Sequence, residues 1–161
     1  GREEVLAVGC NPYDADSVND GMGTIVTVGV KHTKFWTISD GKLTGKKGTL
    51  GGLSEAQAVT CVGFIASTTA DADAYDGGYA LTGQQDGSVL MWRGARALKC
   101  VKGVHGKGPV ASLCCRSCDG GGRMVVTGGG RDGKIKVFEA SVFGTGADPL
   151  AALEIAEAAK G

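Results

Sequence analysis

Tyr79-Ala-Leu-Thr-Gly-Gln-Gln-Asp-Gly-Ser-Val-Leu-Met-Trp92 is the stretch whose reading decides the fold. It opens on an apolar run, turns at Asp86-Gly87 and closes on an aromatic residue after an alternating stretch. Glycine supplies the positive φ that a tight turn demands, so Asp-Gly between two apolar runs predicts a β-hairpin. Beyond the turn, Val89 and Met91 fall on one face while Leu90 and Trp92 fall on the other. The same pattern occurs twice more, at Thr24-Ile-Val-Thr-Val-Gly-Val-Lys-His-Thr-Lys-Phe-Trp36 and at Met124-Val-Val-Thr-Gly-Gly-Gly-Arg-Asp-Gly-Lys-Ile-Lys-Val-Phe138. Thr27, Thr82 and Thr127 share one column of this repeat; Trp36, Trp92 and Phe138 share another.

The repeat is long. From Trp36 to Trp92 is 56 residues and from Trp92 to Phe138 is 46, slightly above the roughly 40–45 residues of a WD40 propeller blade. A further apolar run precedes each hairpin, at Val5–Val8, Ala58–Ala66 and Pro109–Cys115, and outer strands are expected near 42–46, 96–102 and 151–155. The prediction is therefore an all-β chain, a WD40 β-propeller fragment of about three four-stranded antiparallel blades. Blade one takes residues 1–50, blade two 51–103 and blade three 104–161. The excess spacing falls in polar insertions at 11–23, 67–78 and 117–122, where added loop length costs little. The tail Leu150–Lys160 is rich in helix formers, which points to an outer strand running into a short helix at about 150–160. Closed propellers use about 4–8 blades, so three predict an unclosed ring with open edges, part of a larger propeller. The start at Gly1-Arg2-Glu3-Glu4, without Met or an apolar leader, fits the same expectation.

Composition narrows the classes. Of 161 residues 29 are glycine and 3 proline, against a usual glycine share of about 7 %, yet a strict every-third-residue period is absent, which excludes collagen. Lys+Arg and Asp+Glu are 17 each, so neither nucleic acid nor an anionic membrane is an expected partner. No apolar run approaches the length of about 18 residues that a transmembrane helix needs. The six cysteines, Cys10, Cys61, Cys100, Cys114, Cys115 and Cys118, read as reduced, with four of them in or beside strands as small hydrophobes. Cys115-Arg-Ser-Cys118 has metal-ligand spacing, but zinc requires a second pair, and Cys100 and His105 are irregularly placed. No cofactor and no metal are expected.

Val26-Thr-Val-Gly-Val-Lys-His-Thr-Lys-Phe-Trp-Thr37, followed by Leu43-Thr-Gly-Lys-Lys-Gly48, resembles the WD repeat of echinoderm microtubule-associated protein-like proteins. There a Val-Gly-Val-Lys-His-x-Lys-Phe-Trp run leads into a Leu-Thr-Gly-Lys segment in the first of two tandem propellers. Val104-His105-Gly-Lys-Gly-Pro-Val110 and Thr127-Gly-Gly129 are similar to the opening and turn of a following blade. The resemblance spans about residues 5–138 and is specific over 26–48. It implies a non-enzymatic scaffold of the cytoplasmic cytoskeleton, cilium or axoneme included. The implied partner is tubulin or a microtubule, beside the remaining blades of the propeller. The alternatives are a WD40 module of an unrelated signalling or membrane-associated assembly, and a cysteine-based metal protein or enzyme.

WD repeats brace each blade with a His–Ser/Thr–Asp–Trp hydrogen-bond network from leading loop to hairpin turn and third strand. By the resemblance the third blade offers His105, Thr127 and Asp132, but Phe138 has no N–H to donate. The second offers Thr82, Asp86 and Trp92 without an upstream histidine, and the first offers Thr27 and Trp36 without a turn aspartate. No HELP motif or coiled coil is apparent.

Other motifs read as structure. Gly128-Gly-Gly-Arg-Asp-Gly-Lys134 satisfies two phosphate-loop patterns, but a phosphate loop opens a helix, and Ile135-Lys-Val-Phe138 alternates as a strand. His105 is expected to be a structural loop residue and His32 an exposed one. No Ser or Cys nucleophile lies in a recognisable elbow such as G-x-S-x-G. Asp71 and Asp73 lack a twelve-residue calcium loop and read as solvated. Lys31, Lys34, Lys42, Lys46 and Lys47, against the single acid Asp40, form a basic stretch suited to an acidic partner surface such as tubulin, or to lysine protection of a sheet edge.

Overall fold

The computed structural model describes residues 3–14, 23–67, 77–117 and 123–140, together with the backbone of 154–158. Strands β1 (Glu4–Cys10), β2 (Ile25–Val30), β3 (His32–Ser39) and β4 (Lys42–Lys47) form one antiparallel sheet in chain order. Strands β5 (Val59–Ile65), β6 (Tyr79–Gln84), β7 (Val89–Arg93) and β8 (Arg96–Val101) form the second. Strands β9 (Val110–Ser117), β10 (Arg123–Gly129), β11 (Ile135–Glu139) and β12 (Glu154–Ala158) form the third. These are three propeller blades, and the described residues form no closed ring.

The middle blade is buried on both faces, and its alternation explains how. Tyr79, Leu81, Val89 and Met91 point toward the third blade, where they meet Val104, Val110, Val125 and Phe138. Ala80, Leu90 and Trp92 point the other way, onto Val26, Val28 and Phe35 of the first blade. Full burial of such side chains stabilises by about 1.5–3 kcal/mol each, so the two inter-blade layers hold the chain together. Inner strands also meet through polar contacts: Thr60 Oγ1 donates to the Val110 carbonyl, and Cys61 Sγ lies 3.3 Å from the same oxygen.

Two expectations change. The tail strand Glu154–Ala158 pairs antiparallel with β11, with Ile135 opposite Ala158 and Phe138 opposite Glu154. This is the outer strand that the sequence places near 151–155; over 154–158 backbone pairing along the open edge of β11 takes the place of the short helix expected to follow it. Residues 150–153 and 159–160, and most of the three insertions, lie outside the described residues. Turn geometry also shifts: Gly128 and Gly129 of the Thr127-Gly-Gly129 segment are strand residues of β10, and the first hairpin turns at Lys31, whose φ is 55°.

Candidate functional site

The third blade contains a brace of three side chains, Thr127, His105 and Asp132. His105 lies in the β8–β9 connection and is buried. Its Nε2 lies 2.9 Å from Thr127 Oγ1 and its Nδ1 lies 2.8 Å from Asp132 Oδ2. A carboxylate can only accept, so Nδ1 carries the proton and, in the neutral ring, Nε2 accepts from the Thr127 hydroxyl. Partial burial pushes the Asp132 carboxyl up, but the Lys134 N–H and the His105 ring outweigh it and leave the pKa lowered. Gly129 makes room for this pair. A Cβ there would stand 1.9 Å from Asp132 Oδ1 and 2.5 Å from His105 Nδ1.

The first blade builds the same chain of bonds from exchanged parts. Trp36 Nε1 donates to Thr27 Oγ1 at 2.8 Å, and His32 Nε2 lies 2.7 Å from that oxygen. His32 Nδ1 reaches Glu3 Oε2 at 3.0 Å. Here the hairpin supplies the histidine and the leading segment supplies the carboxylate, the reverse of the third blade. The expectation of an exposed His32 is therefore corrected, since only 6 % of it is exposed. Sequence reasoning searched for a turn aspartate and so missed Glu3. Lys34 belongs to the same cluster: its Nζ lies 2.9 Å from Glu3 Oε2 and 5.8 Å from the Trp36 ring centre. Hydrogen bonds from Lys34 and then His32 hold the Glu3 carboxyl down at about 2.

The second blade has no histidine. Trp92 Nε1 donates to Thr82 Oγ1 at 2.8 Å inside the core. At the turn, Ser88 Oγ lies 2.5 Å from both Gln84 Oε1 and Asp86 Oδ1, and Gln57 Oε1 accepts from the Asp86 N–H. Gln84 and Ser88 are the residues that the sequence reading overlooked. Gly87, with a φ of 84°, sits 2.7 Å in Cβ terms from the carbonyls of Gly106 and Gly108, so this turn also seats the His105 loop.

The basic residues split. Lys42, Lys46 and Lys47 lie on β4, every residue of which is exposed, and Lys31 is exposed at its turn. Lys34 is committed to Glu3. Among the described residues no group of three or more His, Cys, Asp or Glu side chains is placed to hold a metal ion. Cys61 is buried, Cys100 and Cys115 are half-buried, and Cys10 and Cys114 are exposed, so Cys114 is not the core residue expected of it. Cys118 lies outside the described residues. After Gly128–Lys134 comes a strand, so backbone N–H groups do not converge there as at a helix start.

Comparison with known proteins gives consistent matches. Echinoderm microtubule-associated protein-like 4 of Homo sapiens is 32 % identical over 150 residues, covering 86 % of this chain and 13 % of the relative. The Xenopus laevis protein of the same name is 31 % identical over 151 residues, covering 86 % and 14 %. The 77 kDa echinoderm microtubule-associated protein of Strongylocentrotus purpuratus is 28 % identical over 141 residues, covering 86 % and 17 %. The chain thus spans less than a fifth of the length of these relatives. Among solved structures, BBS1N in complex with ARL6DN, a propeller, superposes with a TM-score of 0.55 at 14 % identity, covering 86 % of this chain and 42 % of that one. No protein-family model matches.

Proposed function

We propose that the chain is a propeller segment of the echinoderm microtubule-associated protein-like kind and that it serves as a non-catalytic WD40 scaffold of the cytoskeleton that binds tubulin. The observation carrying this reading is the similarity to relatives named as microtubule-associated. The fully exposed basic strand β4 supports it, with Lys42, Lys46 and Lys47, and Lys31 at the neighbouring turn. A basic edge steers an acidic protein surface at a rate that depends on salt. The braces built on Thr27, Trp36, Thr82, Asp86, Trp92, His105, Thr127 and Asp132 serve rigidity: they fix the hairpins that present the edges.

The uncovered face of the first blade, where Val5, Leu6 and Val8 are exposed, is the seat of a neighbouring blade of the same propeller, the first of a tandem pair. The cytoplasm, including the cilium, is the proposed location. Co-sedimentation of the intact propeller with microtubules, and its capture by soluble tubulin, test this reading. Binding to either supports it; absence of both, at low and physiological salt, overturns it in favour of a scaffold for a different assembly.

A further inference from the structure

Among the described residues the exposed Ser and Thr are Thr37, Ser39, Thr44, Thr49 and Ser112. Of these, Thr49 alone has a cation at both the second and the third position before it, Lys47 and Lys46. That is the charge pattern by which a basophilic Ser/Thr kinase selects a substrate segment. The acceptor must also be reachable. Gly51 and Gly52, just beyond it, turn the chain with φ of 60° and 79°, and a Cβ on either would meet open space. Thr49 therefore stands where the exposed strand β4 gives way to an uncrowded turn.

The fold adds a cation from the next blade. Thr49 forms a parallel bridge with Arg96. Its N–H donates to the Ala95 carbonyl at 2.8 Å, and its carbonyl accepts from Ala97 N at 3.0 Å. Thr49, Lys46 and Arg96 line one cleft of about 600 Å³. Arg93, on the same wall, is already engaged within the chain, whereas Arg96 makes no ion pair among the described residues. We propose that Thr49 is a phosphorylation site and that Arg96, with Lys46, receives the phosphate. In the transfer an O–P bond forms to Thr49 Oγ1 and the bond from the γ-phosphorus of ATP to its bridging oxygen breaks. ADP leaves, and the hydroxyl proton passes to the kinase's catalytic carboxylate. The product carries about −1.5 to −2 charge and three acceptor oxygens. A guanidinium fork matches those oxygens in pairs. The modification thus clamps the segment after β4 onto the β7–β8 hairpin, joining the first blade to the second. The site stands whether or not the chain binds tubulin.

The test incubates the full chain with magnesium, ATP and the catalytic subunit of cyclic-AMP-dependent protein kinase, and locates the phosphate by mass spectrometry. Thr49 should be labelled, and Lys46→Gln with Lys47→Gln should slow its labelling about tenfold or more. A synthetic peptide of residues 42–56 serves as the control for kinase activity. Labelled peptide beside an unlabelled chain means that the fold conceals the hydroxyl and overturns the proposal. So does label on other residues in place of Thr49, or labelling that ignores both lysines. The receiving site is read separately, by thermal unfolding of the phosphorylated chain. The phosphate should raise the midpoint by about 2–4 °C through its charge-assisted bonds. Arg96→Gln, remote in sequence from the acceptor, should be labelled as fast yet gain less than half of that rise. No rise, or the same rise without Arg96, overturns the assignment of Arg96 as receiver.

Discussion

Replacing Thr82 by valine keeps the shape of the side chain and removes the only thing that the Trp92 indole is shown to donate to. Both residues are 0 % exposed, so water cannot substitute. An orphaned buried donor costs about 1–3 kcal/mol, and the added methyl group returns less than about 0.8 kcal/mol. The expected net loss is about 1.5 kcal/mol, roughly tenfold in the folding equilibrium. Urea unfolding of the propeller, followed by tryptophan fluorescence, should show a lower midpoint with an unchanged slope. In a Trp92→Phe background the donor is already gone, so the same substitution should cost less than about 0.5 kcal/mol. An equal cost in both backgrounds would refute the reasoning, because the loss would then have nothing to do with the indole N–H.

Other perturbations separate the blades. Gly129→Ala places a methyl group on Asp132 and His105; unfolding should show a loss of about 2 kcal/mol or more, and a loss under about 0.5 kcal/mol would mean that the His105–Asp132 contact does not brace the blade. Glu3, held at about 2 against an ordinary 4.5, has a depressed folded pKa. Its stabilising contribution is therefore complete above about pH 4.5 and drains away as pH falls toward 2. Stability against pH for Glu3→Gln should lack that acid-side loss; identical curves would remove Glu3 from the brace. Burial first, then neighbouring Cys114, pushes the Cys115 thiol up to about 12. In a native thiol-labelling time course Cys10 and Cys114 should react first, with Cys61 and Cys115 protected, and rapid labelling of Cys61 would contradict the inter-blade packing.

The hairpins were legible because they rest on local rules: Asp86-Gly87 and Asp132-Gly133 announce turns, and period-two alternation assigns Val89, Met91, Leu90 and Trp92 to their faces. What escaped was pairing between distant residues. The braces of the first and third blades join the same atoms, yet Glu3 and His32 exchange the places taken by Asp132 and His105. A search for fixed residue types at fixed positions cannot see that exchange, although the Thr27 and Thr127 columns align. The tail's outer strand is legible, but the short helix that propensity adds to it ignores the waiting edge of β11.

The most direct test of the central claim is tubulin binding by the intact propeller with Lys46→Glu and Lys47→Glu, compared with the unmodified protein across a salt series. The account predicts salt-sensitive binding by the unmodified propeller and a loss of about tenfold or more on charge reversal. Binding that survives reversal unchanged, with the same salt dependence, would contradict it.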